Sequence, residues 1–491
     1  MIKDGKILLG RAGETDVYLE PSRLTQHGLI AGASGTGKTV TLKVIAESLS
    51  ELGVPTVIAD VKGDLTGMIE PGDASGIAGR TAKMGITDYP VTSYPVQFFD
   101  VNRKEGHPIR TILEEMDPKL LGTMLDLTDA QMGVLQIVYQ IAADQDLDLI
   151  DYADLEALCA YVHSHAREIS ASYGNVTAQS IGALQRKLLT FKNEQGNLLF
   201  GMPALELNDL YAVKDGRGVM NILECRELYS HPMQYVCVLL WLLNEIYENS
   251  PEVGAVEKPK LVFFFDEAHL LFDGANAQLK EMITRIVRLI RSKGIGIFFI
   301  TQSPADIPDD ILGQLGSRIQ HSLHAYTPAE IKAVKTAAQS FRPNPAFKTE
   351  DRIGSMPTGT ALISALDSEG VPGMVQETMI LPPHSSMKAA SASALQTVLQ
   401  TDGLYDKYQE DEDPESALEK LDDVIKEEEK AAAEEKEKAA EEKEKARAEA
   451  ARKREKDRTY DRLARKLQRR AENEIINAGV RSAKKILKGL F

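Results

Sequence analysis

Gly32-Ala33-Ser34-Gly35-Thr36-Gly37-Lys38-Thr39 and, far along the chain, Leu261-Val262-Phe263-Phe264-Phe265-Asp266-Glu267 are the stretches that decide the fold. The first fits G-x-x-x-x-G-K-[ST], follows the apolar run Gly28-Leu29-Ile30-Ala31 and precedes a helix-like stretch from Val40 to Leu52. Strand, loop and helix in that order are the context a phosphate-binding loop needs. Glycines let backbone N–H groups turn inward around phosphates, and the helix N-terminus adds the positive end of its dipole. Nucleotide phosphates are therefore expected against Gly32, Ala33, Ser34, Gly35, Thr36, Gly37, Lys38, Thr39 and Val40. Lys38 is expected to reach the β- and γ-phosphates, and Thr39 to ligate Mg²⁺. The second stretch has the pattern of a buried strand ending in two carboxylates. Asp266 suits the metal shell, and Glu267 suits polarising an attacking water. Either motif alone could arise by chance; both, in this order, point to nucleotide hydrolysis.

The remaining chain is consistent with a large α/β protein. Its 491 residues suffice for two or three domains, or for one large domain with insertions, and 43% hydrophobic content supports a substantial core. No run approaches eighteen apolar residues, so no membrane span is expected. The opening Met1-Ile2-Lys3-Asp4-Gly5-Lys6 lacks the apolar stretch of a signal peptide. Cys159, Cys225 and Cys237 have no metal-binding spacing and read as reduced, buried side chains of a cytoplasmic protein. A net charge of −16 argues against a generally basic, nucleic-acid-coating surface, though not against a local basic pore in a ring.

Short strands are expected at Lys6–Gly10 and Asp16–Glu20. Further strands are expected at Pro55–Asp60, Val96–Asp100, Gly218–Leu223, Ile295–Thr301, Ala361–Ser364 and Val375–Leu381. Val61-Lys62-Gly63-Asp64 reads as a turn at a strand's carboxyl end, where α/β sheets place ligands. Strands alternating with helices imply a mostly parallel sheet covered on both faces. This divides the chain into a core over 1–108 and 212–383, interrupted by a mostly helical insertion over 109–211. A Ser/Ala-rich linker over 384–413 and a charged helical arm over 414–491 follow. The arm carries Glu434 with Lys438 and Glu441 with Lys445 at i,i+4, and its charge passes from acidic to basic near Lys445. No large apolar residue lies between Ile425 and Tyr460, so no coiled-coil seam is expected there. At its tip Ile476, Val480, Ala483, Leu487 and Leu490 share one face, opposite Lys484, Lys485 and Lys488, a pattern suited to docking on protein.

Gln302, at the end of the Ile295–Thr301 run, is placed to sense a γ-phosphate and hold the lytic water. Arg285, Arg288 and Arg291 could supply a cation to the transition state or form a basic helix face. Asp266-Glu267-Ala268-His269 spells the box of one helicase class, but that class's Ser-Ala-Thr and Gln-Arg-x-Gly-Arg runs are missing. The 228 positions from Thr39 to Glu267 are also long for it. His269 therefore reads as incidental, in a packing turn.

Several runs together resemble the HerA-like branch of the HerA/FtsK superfamily of bacterial ATPases: GLIAGASGTGKTVTL, DVKGDL from Asp60, GHPIR from Gly106, FFFDEAHLLF, RLIRSKGIGIFFITQSPADIPD and LGSRIQH from Leu315. The resemblance covers roughly residues 5 to 383, with a similar basic tail after about Leu463. It implies a RecA-like P-loop core, ATP with Mg²⁺ as cofactors, and a homo-oligomeric ring, a hexamer, acting on double-stranded DNA. It also implies that Arg291 matches the family's trans-acting arginine, with Arg318 a second candidate. DNA-pumping members carry a β-barrel ahead of the loop, where only about thirty residues stand here. The resulting expectation is a ring-forming ATPase that works as a DNA translocase or helicase-like motor. The alternative is a switch or scaffold ATPase, or a polypeptide motor, acting on a protein partner through the arm.

Overall fold

The computed structural model describes residues 1–273 and 275–487. They form two units, Met1–Leu418 and Glu419 onward. The first is built on a 13-stranded sheet. Its longer strands, in chain order, are β1 (Lys6–Ala12), β2 (Thr15–Leu19), β3 (Gly28–Ala31), β4 (Thr56–Asp60), β5 (Val96–Asp100) and β6 (Met220–Glu224). They continue with β7 (Leu261–Phe265), β8 (Ile295–Thr301), β9 (Ser317–His321), β10 (Thr360–Ser364) and β11 (Gln376–Ile380). Across the sheet they run β1-β11-β10-β9-β3-β8-β7-β4-β6-β5, with β2 paired to β1. Neighbours from β9 to β5 are parallel, and β10, β11, β1 and β2 join antiparallel.

The parallel strands β3, β4, β7 and β8 are buried on both faces, which is why they read as mostly apolar runs rather than as alternation. Every residue of β7 and β8 is buried. Phe264 stacks on Phe298 at 5.3 Å and Phe265 on Phe299 at 5.4 Å between ring centroids. Gly28 sits opposite Phe298, where a Cβ would come within 2.2 Å of the ring, so only glycine leaves room for it. Strand β9 is absent from the sequence reading. Ser-Arg-Ile-Gln-His carries too little apolar pattern, yet it flanks β3 at the centre of the sheet.

Between β5 and β6 the crossover is replaced by helices Pro118–Met124, Asp129–Asp144, Tyr152–Ser164, Ala166–Tyr173 and Ala178–Asn193. Leu135, Val138, Leu155, Leu158, Ile181 and Leu184 are buried among them.

Residues 384–413, read from composition as a linker, are instead packed into the first unit. The helix after the Gly32–Gly37 loop, α1 (Lys38–Glu51), buries Lys43 and Glu47. A buried charge needs partners, and this segment supplies them. His384 N and Ser385 Oγ donate to Glu47 at 2.7 and 2.5 Å, and Lys43 donates to Ser386 O at 2.8 Å. Further on, His107 Nε2 lies 2.7 Å from Asp402, and buried Arg110 donates to Tyr408 O at 2.8 Å and pairs with Asp411. The Gly106–Arg110 run thus fastens this segment down.

The second unit is one helix, whose bounds are Ala417–Leu487, 71 residues. At ~1.5 Å per residue it is about 105 Å long. Glu441 and Lys445 pair at 3.7 Å along it. Of the tip, Ile476 and Val480 are exposed; Lys488 and Leu490 lie outside the described residues, as do the side chains of Ala483, Lys485 and Leu487. Among the described residues no helix is long and apolar enough to cross a membrane, and Cys159, Cys225 and Cys237 are free and buried.

Candidate functional site

The loop Gly32–Thr39 leaves the carboxyl end of β3 between β8 and β9 and runs into α1. Main-chain bonds tie it to both neighbours and to the approach to β10. Gly32 N donates to Thr301 O at 3.2 Å, Ala33 N to Ser322 O at 2.8 Å, and Gly359 N to Thr36 O at 2.9 Å. Gly37 has φ +118 and a Cβ there would meet Gly359 Cα at 3.2 Å and His321 at 3.3 Å, so the last turn before the helix requires glycine. Ser34 and Gly35 are exposed at the loop's outer edge, while Thr39 and Val40 are half-buried in the first turn of α1. Lys38 Nζ donates to Gly32 O at 2.6 Å and Ala33 O at 3.3 Å. Burial, then the nearby charge of Lys62, lowers its pKa.

Asp266 and Glu267 leave β7 at the same edge of the sheet. Asp266 is buried, and burial pushes its carboxyl up to about 6, against the pull of Lys62. Glu267 takes the left-handed conformation, φ 46 and ψ 49, which is uncommon in a residue with a side chain and costs some backbone strain. Burial alone would raise its pKa, but the ion pair with Lys62 carries it below the ordinary value. Lys62 Nζ lies 2.7 Å from Glu267 Oε1 and 3.6 Å from Asp266 Oδ2. On the other oxygen, Gln302 Nε2 approaches Glu267 Oε2 at 3.5 Å. The turn that carries Gln302 is fixed by Asp306, which accepts from Thr301 Oγ1 at 2.6 Å and Ser303 N at 2.9 Å.

Lys38, Asp266, Glu267 and Gln302 are thus collected at the carboxyl edge of the parallel strands, where such sheets bind ligands. The two arginines are not. Arg291 is exposed and precedes β8, so the strand's seven residues, roughly 20 Å at ~3.3 Å each, separate it from Gln302's end. Arg318 lies near the start of β9, opposite Leu29, and its guanidinium donates to the carbonyls of Leu312, Leu315 and Ser340 at 3.2, 3.5 and 3.3 Å.

Sequence reasoning misses Lys62. It stands in the turn after an acid-tipped strand, but its meeting with Glu267 depends on β4 lying beside β7, which no local pattern shows. His269 Nδ1 lies 3.4 Å from Glu267 Oε2 without a hydrogen bond.

Among the described residues no group of three or more His, Cys, Asp or Glu could hold a metal ion. Mg²⁺, however, is commonly held by one or two protein oxygens together with substrate phosphates and water. A hydroxyl on Thr39 and a buried carboxylate on Asp266 are hard oxygen donors of that kind.

The family model described as "Helicase HerA-like C-terminal" matches residues 6–490. The DNA double-strand break repair helicase HerA of Saccharolobus solfataricus is 20% identical over 377 residues, covering 74% of this chain and 66% of that protein, just under two thirds of its length. VirB4 of Thermoanaerobacter pseudethanolicus superposes with a TM-score of 0.51 at 17% identity, over 80% of this chain and 100% of that one. The plasmid coupling protein TrwB in complex with ADP and Mg²⁺ gives 0.51 at 14% identity, over 78% of this chain and 90% of that one. These two likenesses are likenesses of fold.

Proposed function

Because the chain belongs to the HerA-like helicase C-terminal family, we propose that it hydrolyses ATP to ADP and phosphate in a ring of its own copies, coupled to double-stranded DNA. The observation that carries the ATPase reading is the meeting of Lys38, Asp266, Glu267 and Gln302 around one glycine loop at a helix N-terminus. In this reading the loop's N–H groups and Lys38 hold the β- and γ-phosphates. Thr39 and Asp266 hold Mg²⁺, which when bound offsets charge on the phosphate oxygens. Glu267 draws on the proton of the attacking water, and Gln302 orients that water against the γ-phosphate. The coupling to DNA leans on the DNA repair helicase among the relatives. The test is the ATPase rate with and without double-stranded DNA: stimulation is expected. No response to DNA, with a response to a protein bound by the charged helix, would favour the switch or polypeptide-motor reading.

Gln302 is exposed, so Gln302→Ala is expected to leave the melting temperature unchanged while slowing turnover by roughly 10- to 100-fold. Loss of folding without loss of specific activity would make it a strand-end cap.

Arg291 supports the ring. An exposed arginine at the far edge of the sheet cannot serve its own loop, but it can face the phosphates of a neighbouring copy. Arg318, engaged with three carbonyls, is the weaker candidate. Arg291→Ala and Lys38→Ala proteins are each expected to be inactive alone and to regain partial activity when mixed. Mixed assemblies contain interfaces with an intact Lys38 opposite an intact Arg291. Mixed oligomers without rescue would confine Arg291 to its own subunit, and a fully active monomer would remove the ring, of six copies or any other number.

A further inference from the structure

Lys62 has no part in the reading above, yet it makes the closest polar contact to Glu267, at 2.7 Å. Its position is built rather than incidental. Register pairs Ala59 with Phe265, so Asp60 and Asp266 leave adjacent strands side by side. Asp60 then accepts from Lys62 N at 3.1 Å, Gly63 N at 2.8 Å and Leu65 N at 3.0 Å, which winds the chain into a tight turn. Gly63, at φ +71, is backed by the Arg226 side chain, which a Cβ would meet at 2.8 Å. Arg226 is in turn held by Glu224 at 2.8 Å and by Glu105. A turn braced on both sides can aim one lysine reproducibly.

The two oxygens of Glu267 are used differently. Oε1 takes the ammonium of Lys62, whereas Oε2 has only long approaches, 3.5 Å from Gln302 and 3.4 Å from His269. The Glu267 side chain is 8% exposed and that of Lys62 41%, so the carboxylate is shielded from water while the ammonium reaches it from the surface. We infer that Lys62 is a positioning residue: it fixes one oxygen of Glu267 so that the other is presented, beside Gln302, to the attacking water. The inference rests on the ATPase reading of the site. It adds a second lysine whose work is done through the carboxylate and not on the phosphates.

The experiment is a double-mutant cycle on the full chain, with kcat and nucleotide affinity measured separately. Lys62→Met keeps the length of the side chain and removes its charge. It is expected to lower kcat by about 30-fold, because misplacing a catalytic group by an ångström costs that order of rate. The dissociation constants for ADP and a non-hydrolysable ATP analogue should stay within about threefold. Lys62→Arg should recover part of the loss. In a Glu267→Gln background, adding Lys62→Met should change kcat by less than about twofold, since the two residues act as one unit.

Any of the following results would overturn the assignment. A rise in kcat would mean the ion pair restrains Glu267. Affinity weakened by about tenfold or more would place Lys62 on the phosphates. A full additional loss in the Glu267→Gln background would separate the two residues, and equal loss in the Met and Arg variants would deny a role for the charge. If Glu267→Gln itself keeps wild-type turnover, the ATPase reading falls. If Glu267→Gln is slow and Lys62→Met is normal, only the role of Lys62 falls.

Discussion

The Glu267→Gln protein is expected to bind ATP with near wild-type affinity and to hydrolyse it about 10³-fold more slowly, the scale of a lost general base. The amide matches the carboxylate in volume and shape, so the left-handed backbone at φ 46 and the turn over Ala268–Leu271 should persist. What disappears is the negative charge, and with it the attraction of Lys62, now 2.7 Å away. Asp266 keeps its carboxylate for Mg²⁺, so nucleotide should still be held. Affinity measured with labelled ATP, and turnover by phosphate release, check both halves. Wild-type turnover would end the assignment of Glu267 as the base. Weak binding with normal kcat would make it a nucleotide contact instead.

Lys38→Ala is expected to lose both steps: ATP affinity should fall sharply and turnover should drop on the order of 10³-fold, as when a preorganised charge is removed from a transition state. Lys38 is buried at the start of α1, with its ammonium reaching back over the loop to Gly32 O and Ala33 O. No other lysine leaves α1 near the loop, because Lys43 is turned away to Ser386. The fold should survive, since the loop is held mainly by main-chain bonds to Thr301, Ser322 and Gly359. Circular dichroism and melting temperature establish that, and unimpaired hydrolysis by a folded Lys38→Ala protein would remove the loop from catalysis.

Much of this site was legible because its signals are local. A glycine loop between a strand and a helix spans a dozen residues, and β7 and β8 are runs rich in Phe and Ile that declare themselves buried. Three things were not legible. Strand β9 hides behind Ser317, Arg318, Gln320 and His321, whose polar groups find partners only in the folded sheet; His321, for one, meets Thr41 at 2.9 Å. Residues 384–413 look like a tether because Ser and Ala crowd their first part and acids their last, and the need they meet lies in Lys43 and Glu47, more than three hundred positions earlier. Lys62 meets Glu267 only because β4 and β7, far apart in the chain, are neighbours in the sheet.

That order of strands has a consequence for the nascent chain. The flanks of β3 are β8 and β9, neither of which exists until synthesis has passed residue 301 and then residue 321. At ~5–20 residues per second, the strand that leads into the glycine loop waits roughly 15–60 s before both of its edges can be paired. Meanwhile the helices between residues 118 and 193, whose contacts are close in sequence, can form as soon as they emerge. The apolar Gly28–Ala31 segment is thus made long before the strands that enclose it, and the loop after it gains its final setting only once residue 321 has been added.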